Sequence, residues 1–222
     1  KTEDGWGIID KRGGFILRPK YDYISNFNEF DLAVIKIGTN KYSFIDRTGM
    51  RVTTKRFRKV GPFREGLAGV QLNDSWGFID SLGQMAISPK YKRISSFHSG
   101  LAAAKLTTNN KWGYINKMGE VVITPAFDKA ESFIDDFAMV GIRSEGDIFK
   151  KDWGIINTKG EVIIPLKYQE IKDLDEGFFA LKKNDIWAFA KDTGEVITDF
   201  KYLKVADFQD GNVQAIFKHN DD

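Results

Sequence analysis

Lys111-Trp112-Gly113-Tyr114-Ile115-Asn116-Lys117-Met118-Gly119-Glu120-Val121-Val122-Ile123 is the stretch whose reading decides the fold. A short apolar run, Trp112 to Ile115, meets an Asn-x-x-Gly turn and returns as a second apolar run, Val121 to Ile123. The Asn side chain can bond the backbone two residues on, and the glycine accepts a positive φ, so the pattern predicts a tight hairpin. The pattern recurs along the chain. Counted from an aromatic at Trp6, Tyr42, Trp76, Trp112, Trp153 and Trp187, the steps are 36, 34, 36, 41 and 34 residues. Seven residues after each aromatic stands a glycine: Gly13, Gly49, Gly83, Gly119, Gly160 and Gly194. Fifteen after stand Tyr21, Phe57, Tyr91, Phe127, Tyr168 and Tyr202, and twenty-one after stand Phe27, Phe63, Phe97, Phe133, Leu174 and Phe208. Four after stand Asp10, Asp46, Asp80, Asn116, Asn157 and Lys191. Agreement at several fixed offsets in six units marks an internal repeat.

Each unit reads as a meander of short strands. After the hairpin comes a Pro-Lys-Tyr segment such as Pro89-Lys90-Tyr91, then a strand such as Leu101-Ala102-Ala103-Ala104. Proline cannot donate to a central ladder, which points to an outer position. No helical period of useful length appears, so the fold class is all-β. The strands are apolar on both faces, as in Trp112-Gly113-Tyr114-Ile115, which suits sheets covered on both sides better than a one-layer solenoid wall. The first Trp-Gly strand, at Trp6, lacks a predecessor, and the last strand, Val213 to Phe217, lacks a successor. Pairing them would remove two exposed edges. The expectation is one domain over 1–222, a closed six-bladed β-propeller with its termini paired in the last blade. An open β-solenoid is the alternative.

Composition narrows function. The chain has 222 residues, 42% hydrophobic and 14% aromatic, which excludes intrinsic disorder. Lys plus Arg number 33 and Asp plus Glu 31, for a net charge of +2, so no global field pulls the chain onto nucleic acid. Cysteine is absent, which removes thiolate chemistry and disulfides, and the two histidines, His98 and His219, are far apart. No apolar run approaches the ~18 residues of a membrane span, so no membrane insertion is expected. The chain opens on Lys1 rather than methionine, which leads to the expectation of a processed product.

The units resemble bacterial WG (KWG) repeats, through Lys111-Trp112-Gly113-Tyr114-Ile115-Asn116-Lys117-Met118-Gly119 and Phe63-Arg64-Glu65-Gly66-Leu67-Ala68. Departures are Tyr42-Ser43 in unit two, Leu174 in unit five, and Trp187-Ala188 with Lys191 in unit six. The resemblance implies a binding or scaffold repeat, extracytoplasmic in a bacterium, with no catalytic residue, metal or cofactor to carry over. The function expected is a non-catalytic protein-interaction module. A glycan- or cell-wall-binding module is the alternative, and a hydrolase ranks last.

Residues common to all units build the unit, so the recurrent tryptophans read as core and function is sought in what differs. All length variation lies between the offset-21 residue and the next phase aromatic, where the gaps are 15, 13, 15, 20 and 13 residues. The longest carries Arg143-Ser144-Glu145-Gly146-Asp147-Ile148-Phe149-Lys150. Arg143, Glu145, Asp147, Ile148 and Phe149 are therefore candidate partner-binding residues, with Ile148 and Phe149 as apolar anchors. Unit two is locally basic, with Arg51, Lys55, Arg56, Arg58, Lys59 and Arg64, and Arg56, Arg58 and Lys59 are the second candidate group. Lys20, Arg56, Lys90, Lys167 and Lys201 precede the offset-15 aromatic, where each stem is expected to cover a neighbouring ring. The carboxylates Asp135, Asp136, Asp173, Asp175 and Glu176, which a glycosidase would need across a cleft, sit at turn positions.

Overall fold

The computed structural model describes residues 5–209 and 212–217, and His219 lies outside them. Every regular element among the described residues is a β-strand. The first sheet is two-stranded, β1 (Trp6–Ile9) with β2 (Phe15–Tyr21). The second has three strands: β3 (Tyr23–Ile24), β4 (Ala33–Lys36) and β5 (Tyr42–Ile45). Three four-stranded meanders follow. They are β6 (Lys59–Arg64), β7 (Leu67–Leu72), β8 (Ser75–Asp80) and β9 (Met85–Tyr91); β10 (Arg93–Ile94), β11 (Leu101–Lys105), β12 (Trp112–Asn116) and β13 (Val121–Phe127); and β14 (Lys129–Ala130), β15 (Phe137–Ser144), β16 (Asp147–Asn157) and β17 (Val162–Tyr168). The last sheet has five strands in sequential order: β18 (Glu170–Asp173), β19 (Phe178–Lys183), β20 (Ile186–Lys191), β21 (Tyr202–Gln209) and β22 (Asn212–Phe217). The chain forms two compact units, Lys1–Asn110 with Tyr114–Val121, and Lys111–Gly113 with Val122–Asp222.

The Trp-Gly pair has a mechanical reason. Trp76 lies opposite Tyr91 and Phe78 opposite Ile87, so Gly77 alone faces the three residues Ser88-Pro89-Lys90. The same bulge sits opposite Gly7, between the pairs Trp6–Tyr21 and Ile8–Leu17. It also sits opposite Gly154, between Trp153–Tyr168 and Ile155–Ile164. The bulged chain crosses directly over the glycine. A Cβ on Gly77 would stand 2.4 Å from the Ile87 carbonyl oxygen and 2.7 Å from the Pro89 nitrogen. A Cβ on Gly113 would meet the Ile123 carbonyl at 2.4 Å, and one on Gly154 the Ile164 carbonyl at 2.6 Å. Proline suits the bulge because its missing N–H takes nothing from the ladder.

The two units without this glycine lose the continuous strand. In unit two, with Ser43, residues 51–57 join the sheet through the isolated bridges Ile45–Arg51 and Tyr42–Phe57. In unit six, with Ala188, β20 meets β21 at Trp187–Tyr202 and a lone bridge joins Ala190 to Val196. A side chain at this position keeps the returning chain from lying close.

The Asx turns form as the spacing predicts. Asp80 Oδ1 accepts from the N–H groups of Leu82 and Gln84 at 3.0 and 2.8 Å, and Asn116 Oδ1 accepts from Met118 and Glu120, both at 3.0 Å. The turn glycine is also where a unit meets the one before it. Gly83, at φ +82°, would place a Cβ 2.0 Å from the Val52 carbonyl oxygen, and Gly194, at φ +86°, 2.3 Å from that of Ile163.

The first strand of a unit is buried on both faces, as its apolar pattern predicts. Phe44 with Ile45, Phe78 with Ile79, Tyr114 with Ile115 and Ile155 with Ile156 are neighbouring residues on opposite faces, and all are buried. Strands of this kind in four-stranded antiparallel meanders are the sheets of β-propeller blades, and in these four first strands the polar outer face of a solenoid wall is lacking. Among the described residues β1 is laddered to β2, while β22 folds back on β21 from Gln209–Asn212 to Tyr202–Phe217.

Gly77→Ala is expected to cost about 1–3 kcal/mol through the forced backbone shift, read from the urea unfolding midpoint. Ala188→Gly, where the neighbours already accommodate a methyl group, is expected to change stability by less than about 1 kcal/mol. Equal losses from the two substitutions would show that close approach is not why glycine stands there.

Candidate functional site

Each variable hairpin is tied down by the residue that follows the offset-15 aromatic. Asp22 Oδ2 accepts from the Gly38 N–H, and the Arg58 guanidinium binds the Asp74 carboxylate. Lys92 Nζ donates to Asn110 Oδ1 at 2.9 Å, Asp128 Oδ2 accepts from the Arg143 N–H at 2.9 Å, and Gln169 Oε1 accepts from the Asp185 N–H at 2.8 Å. The tether recurs in five units while its chemistry changes from carboxylate to guanidinium, ammonium and amide. Sequence comparison by residue type therefore missed it. The readable signal is position alone, offset 16.

The longest of these connections is a hairpin rather than a loop. β15 and β16 run in register from Phe137–Asn157 to Arg143–Lys151, and Ser144 then pairs with Asp147. The jump leaves Ile148, Phe149 and Lys150 as a bulge at the tip. Asp128 anchors the base: it takes the Arg143 N–H and an ion pair from Lys111 at 2.8 Å. The Lys111 bond leads, with the Arg143 N–H behind it, and burial opposes both; the net effect holds the Asp128 carboxyl below the usual range. Asp147 Oδ1 accepts from the Phe149 N–H at 2.9 Å, which together with Lys150 keeps that carboxyl low as well. Ser144 Oγ donates to Asp152 Oδ1 at 2.8 Å. The tip is therefore shaped by its own hydrogen bonds and carries Phe149 at 87% exposure. The side chain of Ile148 lies outside the described residues.

A groove of about 620 Å³ runs beside this hairpin. Glu145, Asp147 and Phe149 line it from the tip, Trp153 from the strand, and Glu170 and Lys182 from the next sheet. Lys182 pairs with Glu170 at 3.8 Å and Asp185 at 3.5 Å. Trp153 also lines an apolar cavity of about 470 Å³ with Ile134, Met139 and Ile171. Of the candidates, the structure brings Glu145, Asp147 and Phe149 to one groove, whereas Arg143 contributes a backbone N–H to the anchor. Trp153, Glu170 and Lys182 were not among the residues singled out from the sequence.

The basic segment of unit two does not act as one patch. Arg58 tethers a hairpin through Asp74, and Lys59 enters the ladder opposite Gln71. Arg56 instead lines a small pocket with Arg51. The lysines before the offset-15 aromatic place the ammonium group itself over the ring that follows: Lys20 over Tyr21, Lys90 over Tyr91, Lys167 over Tyr168 and Lys201 over Tyr202, at 5.3 to 5.7 Å from the ring centres.

The tryptophans depart from the core reading. Trp187 is buried, but Trp76, Trp112 and Trp153 are half-buried and Trp6 is 43% exposed. Trp6, Trp76, Trp112 and Trp187 are the first or second residue of their strands, whereas Trp153 lies within β16, against the bare backbone of Gly141 across the ladder. The deepest packing comes instead from residues such as Phe57, Tyr91, Phe97 and Phe133. The carboxylates are turn residues, as read. Asp135, Asp136, Asp175 and Glu176 all have positive φ, and Asp173 Oδ1 caps the Asp175 N–H at 3.0 Å.

The repeating Trp-Gly strand, bulge and Asx turn match one family. The chain belongs to the WG-containing repeat family. Its pattern matches residues 6–42, 42–75, 76–112, 112–143 and 153–187. The gap between the fourth and fifth WG repeats, residues 144–152, is the bulged hairpin tip. No curated protein sequence matches the chain. Similar solved structures include BamB from Moraxella catarrhalis, 12% identical over 79% of this chain and 75% of that one, with a TM-score of 0.36. Hsv2p of Kluyveromyces lactis is 11% identical over 79% of this chain and 63% of its own, with a TM-score of 0.46. The dihydro-heme d1 dehydrogenase NirN is 12% identical over 92% of this chain and 53% of its own, with a TM-score of 0.44.

Glu65 shows what such turn carboxylates do in a WG repeat. It accepts from the Gly100 N–H at 3.2 Å and pairs with Lys117 at 3.0 Å. Burial works against the charged form, but Lys117 and the Gly100 N–H outweigh it, so the carboxyl sits below its ordinary 4.5. A lowered carboxyl stabilises the fold above its unfolded value, and that contribution is lost as pH falls through the folded value. Glu65→Gln is therefore expected to reduce stability at pH 7 by about 0.5–1 kcal/mol. The two proteins should converge in acid, and a constant difference from pH 7 to pH 3 in chemical denaturation would contradict this role.

Proposed function

We propose that the chain is a non-catalytic protein-interaction module that presents the β15–β16 hairpin to a macromolecular partner outside the cytoplasm of a bacterium. The observation that carries the reading is Phe149, 87% exposed on a bulge that the repeat pattern skips, beside a groove with fixed charges. A large exposed ring costs solubility unless something covers it, and aromatic side chains anchor protein interfaces. The anchoring of the hairpin base by Asp128 supports it, because a pre-shaped tip loses little entropy on binding. Lys182, Glu170 and Asp147 beside the aromatic would select for a partner of mixed charge.

A glycan-binding module is the second reading, favoured by Trp153. Its half-buried ring lines both the groove and the adjoining apolar cavity, with Glu170 at the edge of each. Sugars stack on such rings and hydrogen-bond to neighbouring carboxylates.

The two readings separate on two variants. Phe149→Asp is expected to abolish recovery of a protein partner in a pull-down from the native host while leaving the melting temperature within about 2 °C, since the ring is exposed. Trp153→Ala is expected to remove binding on a glycan array if sugars are the ligand. Unchanged recovery of every partner by Phe149→Asp would exclude the hairpin tip from recognition.

A further inference from the structure

Unit two contains a second site of different chemistry. Lys20, Lys41, Arg51 and Arg56 line a pocket of about 140 Å³ together with Tyr42 and Ser43, and among the described residues no carboxylate lines it. Tyr21, Ile35 and Ser43, all buried, close its floor. Neighbouring cations are neutralised: Arg47 pairs with Asp31 and Arg58 with Asp74. Lys41, Arg51 and Arg56 have no ion pair among the described residues. Lys20 has its ammonium over the Tyr21 ring.

The pocket follows from where unit two breaks the repeat. Nine residues after the phase aromatic, the other five units carry Phe15, Met85, Val121, Val162 and Val196, and unit two carries Arg51. One residue after it, four units carry glycine and unit two carries Ser43. Ser43 displaces the returning chain, its Oγ donates to the Lys55 carbonyl at 3.3 Å, and residues 51–57 touch the sheet through two bridges. Arg51 stands at one end of this raised stretch and Arg56 near the other. The change that opens the cavity therefore brings in the Arg51 guanidinium beside that of Arg56, which stands at the recurring cationic position, and their planar forks match phosphate oxygens.

We infer that this pocket binds a phosphate-type oxyanion, as the free ion or as the terminal group of a phosphate monoester. Four cations around one cavity repel each other, and a dianion removes that repulsion while accepting hydrogen bonds from several of them. The volume is well below the ~300–1,000 Å³ of sites that enclose whole small molecules, so one group enters and any ester remainder stays outside, next to Tyr42.

Calorimetric titration of the protein with inorganic phosphate and with phenyl phosphate tests this. Saturable binding that weakens as sodium chloride rises is expected, with Arg51→Val/Arg56→Gln weakening it at least about ten-fold. Arg51→Val restores the residue type of the other units, so the melting temperature should hold. Lys41→Met, outside the raised stretch, should weaken binding independently, and Arg58→Gln, which lies outside the pocket, should not. Tighter binding of phenyl phosphate identifies an ester as the ligand, and equal binding identifies the free ion. Absence of saturable binding to either probe, or equal affinity in the Arg51/Arg56 double variant, would overturn the inference.

Discussion

The close approach of a bulged strand to the glycine of each Trp-Gly pair is the constraint on which the unit depends. At 2.4 Å from a would-be Cβ to a carbonyl oxygen, nothing larger than hydrogen fits. The three-residue bulge packed into that space re-aims the chain so that the aromatic fifteen positions on returns opposite the tryptophan, as Tyr91 does opposite Trp76. That ring then enters the core beside Phe78 and Phe97. Where Ser43 or Ala188 replaces the glycine, the core survives but the ladder does not, and the freed backbone opens space at the surface. The pocket bounded by Arg51 and Arg56 is such a space.

A second layer of order holds the variable parts. The offset-16 side chains reach across to the hairpin between the third strand and the next Trp-Gly strand, using whatever donor or acceptor the facing backbone or side chain needs. Evolution can lengthen such a hairpin beyond its tether without disturbing the sheet, because the added residues lie past the last anchored pair. In β15–β16 the ladder continues only to Arg143–Lys151 before the bulge at Phe149. Variation is thus confined to places where it alters surface rather than core.

Much of this was legible in the sequence. The repeat, the Asx turns and the two-faced burial of residues such as Phe78 and Ile79 followed from offsets and alternation, because turn chemistry and strand period are local. The tryptophans misled because their size suggests core, whereas in four of the five, Trp6, Trp76, Trp112 and Trp153, neighbours cover only part of the ring. The tethers were unreadable because one geometric task is met by a carboxylate at Asp22 and Asp128, a guanidinium at Arg58, an ammonium at Lys92 and an amide at Gln169.

The sequence by itself determined the unit: its length, its strands, its turns and its membership of the WG-containing repeat family. Those features rest on short-range spacing, which backbone geometry makes exacting. Tertiary structure alone decided which charges stand together. Arg56 and Arg58 are two residues apart, yet one faces a pocket with Lys20 and Arg51 while the other is spent on Asp74. Phe149 becomes an exposed anchor because Asp128 and a bulge place it there. Sites of this kind are made by residues from different units meeting across packed sheets, and no spacing rule along the chain encodes that meeting.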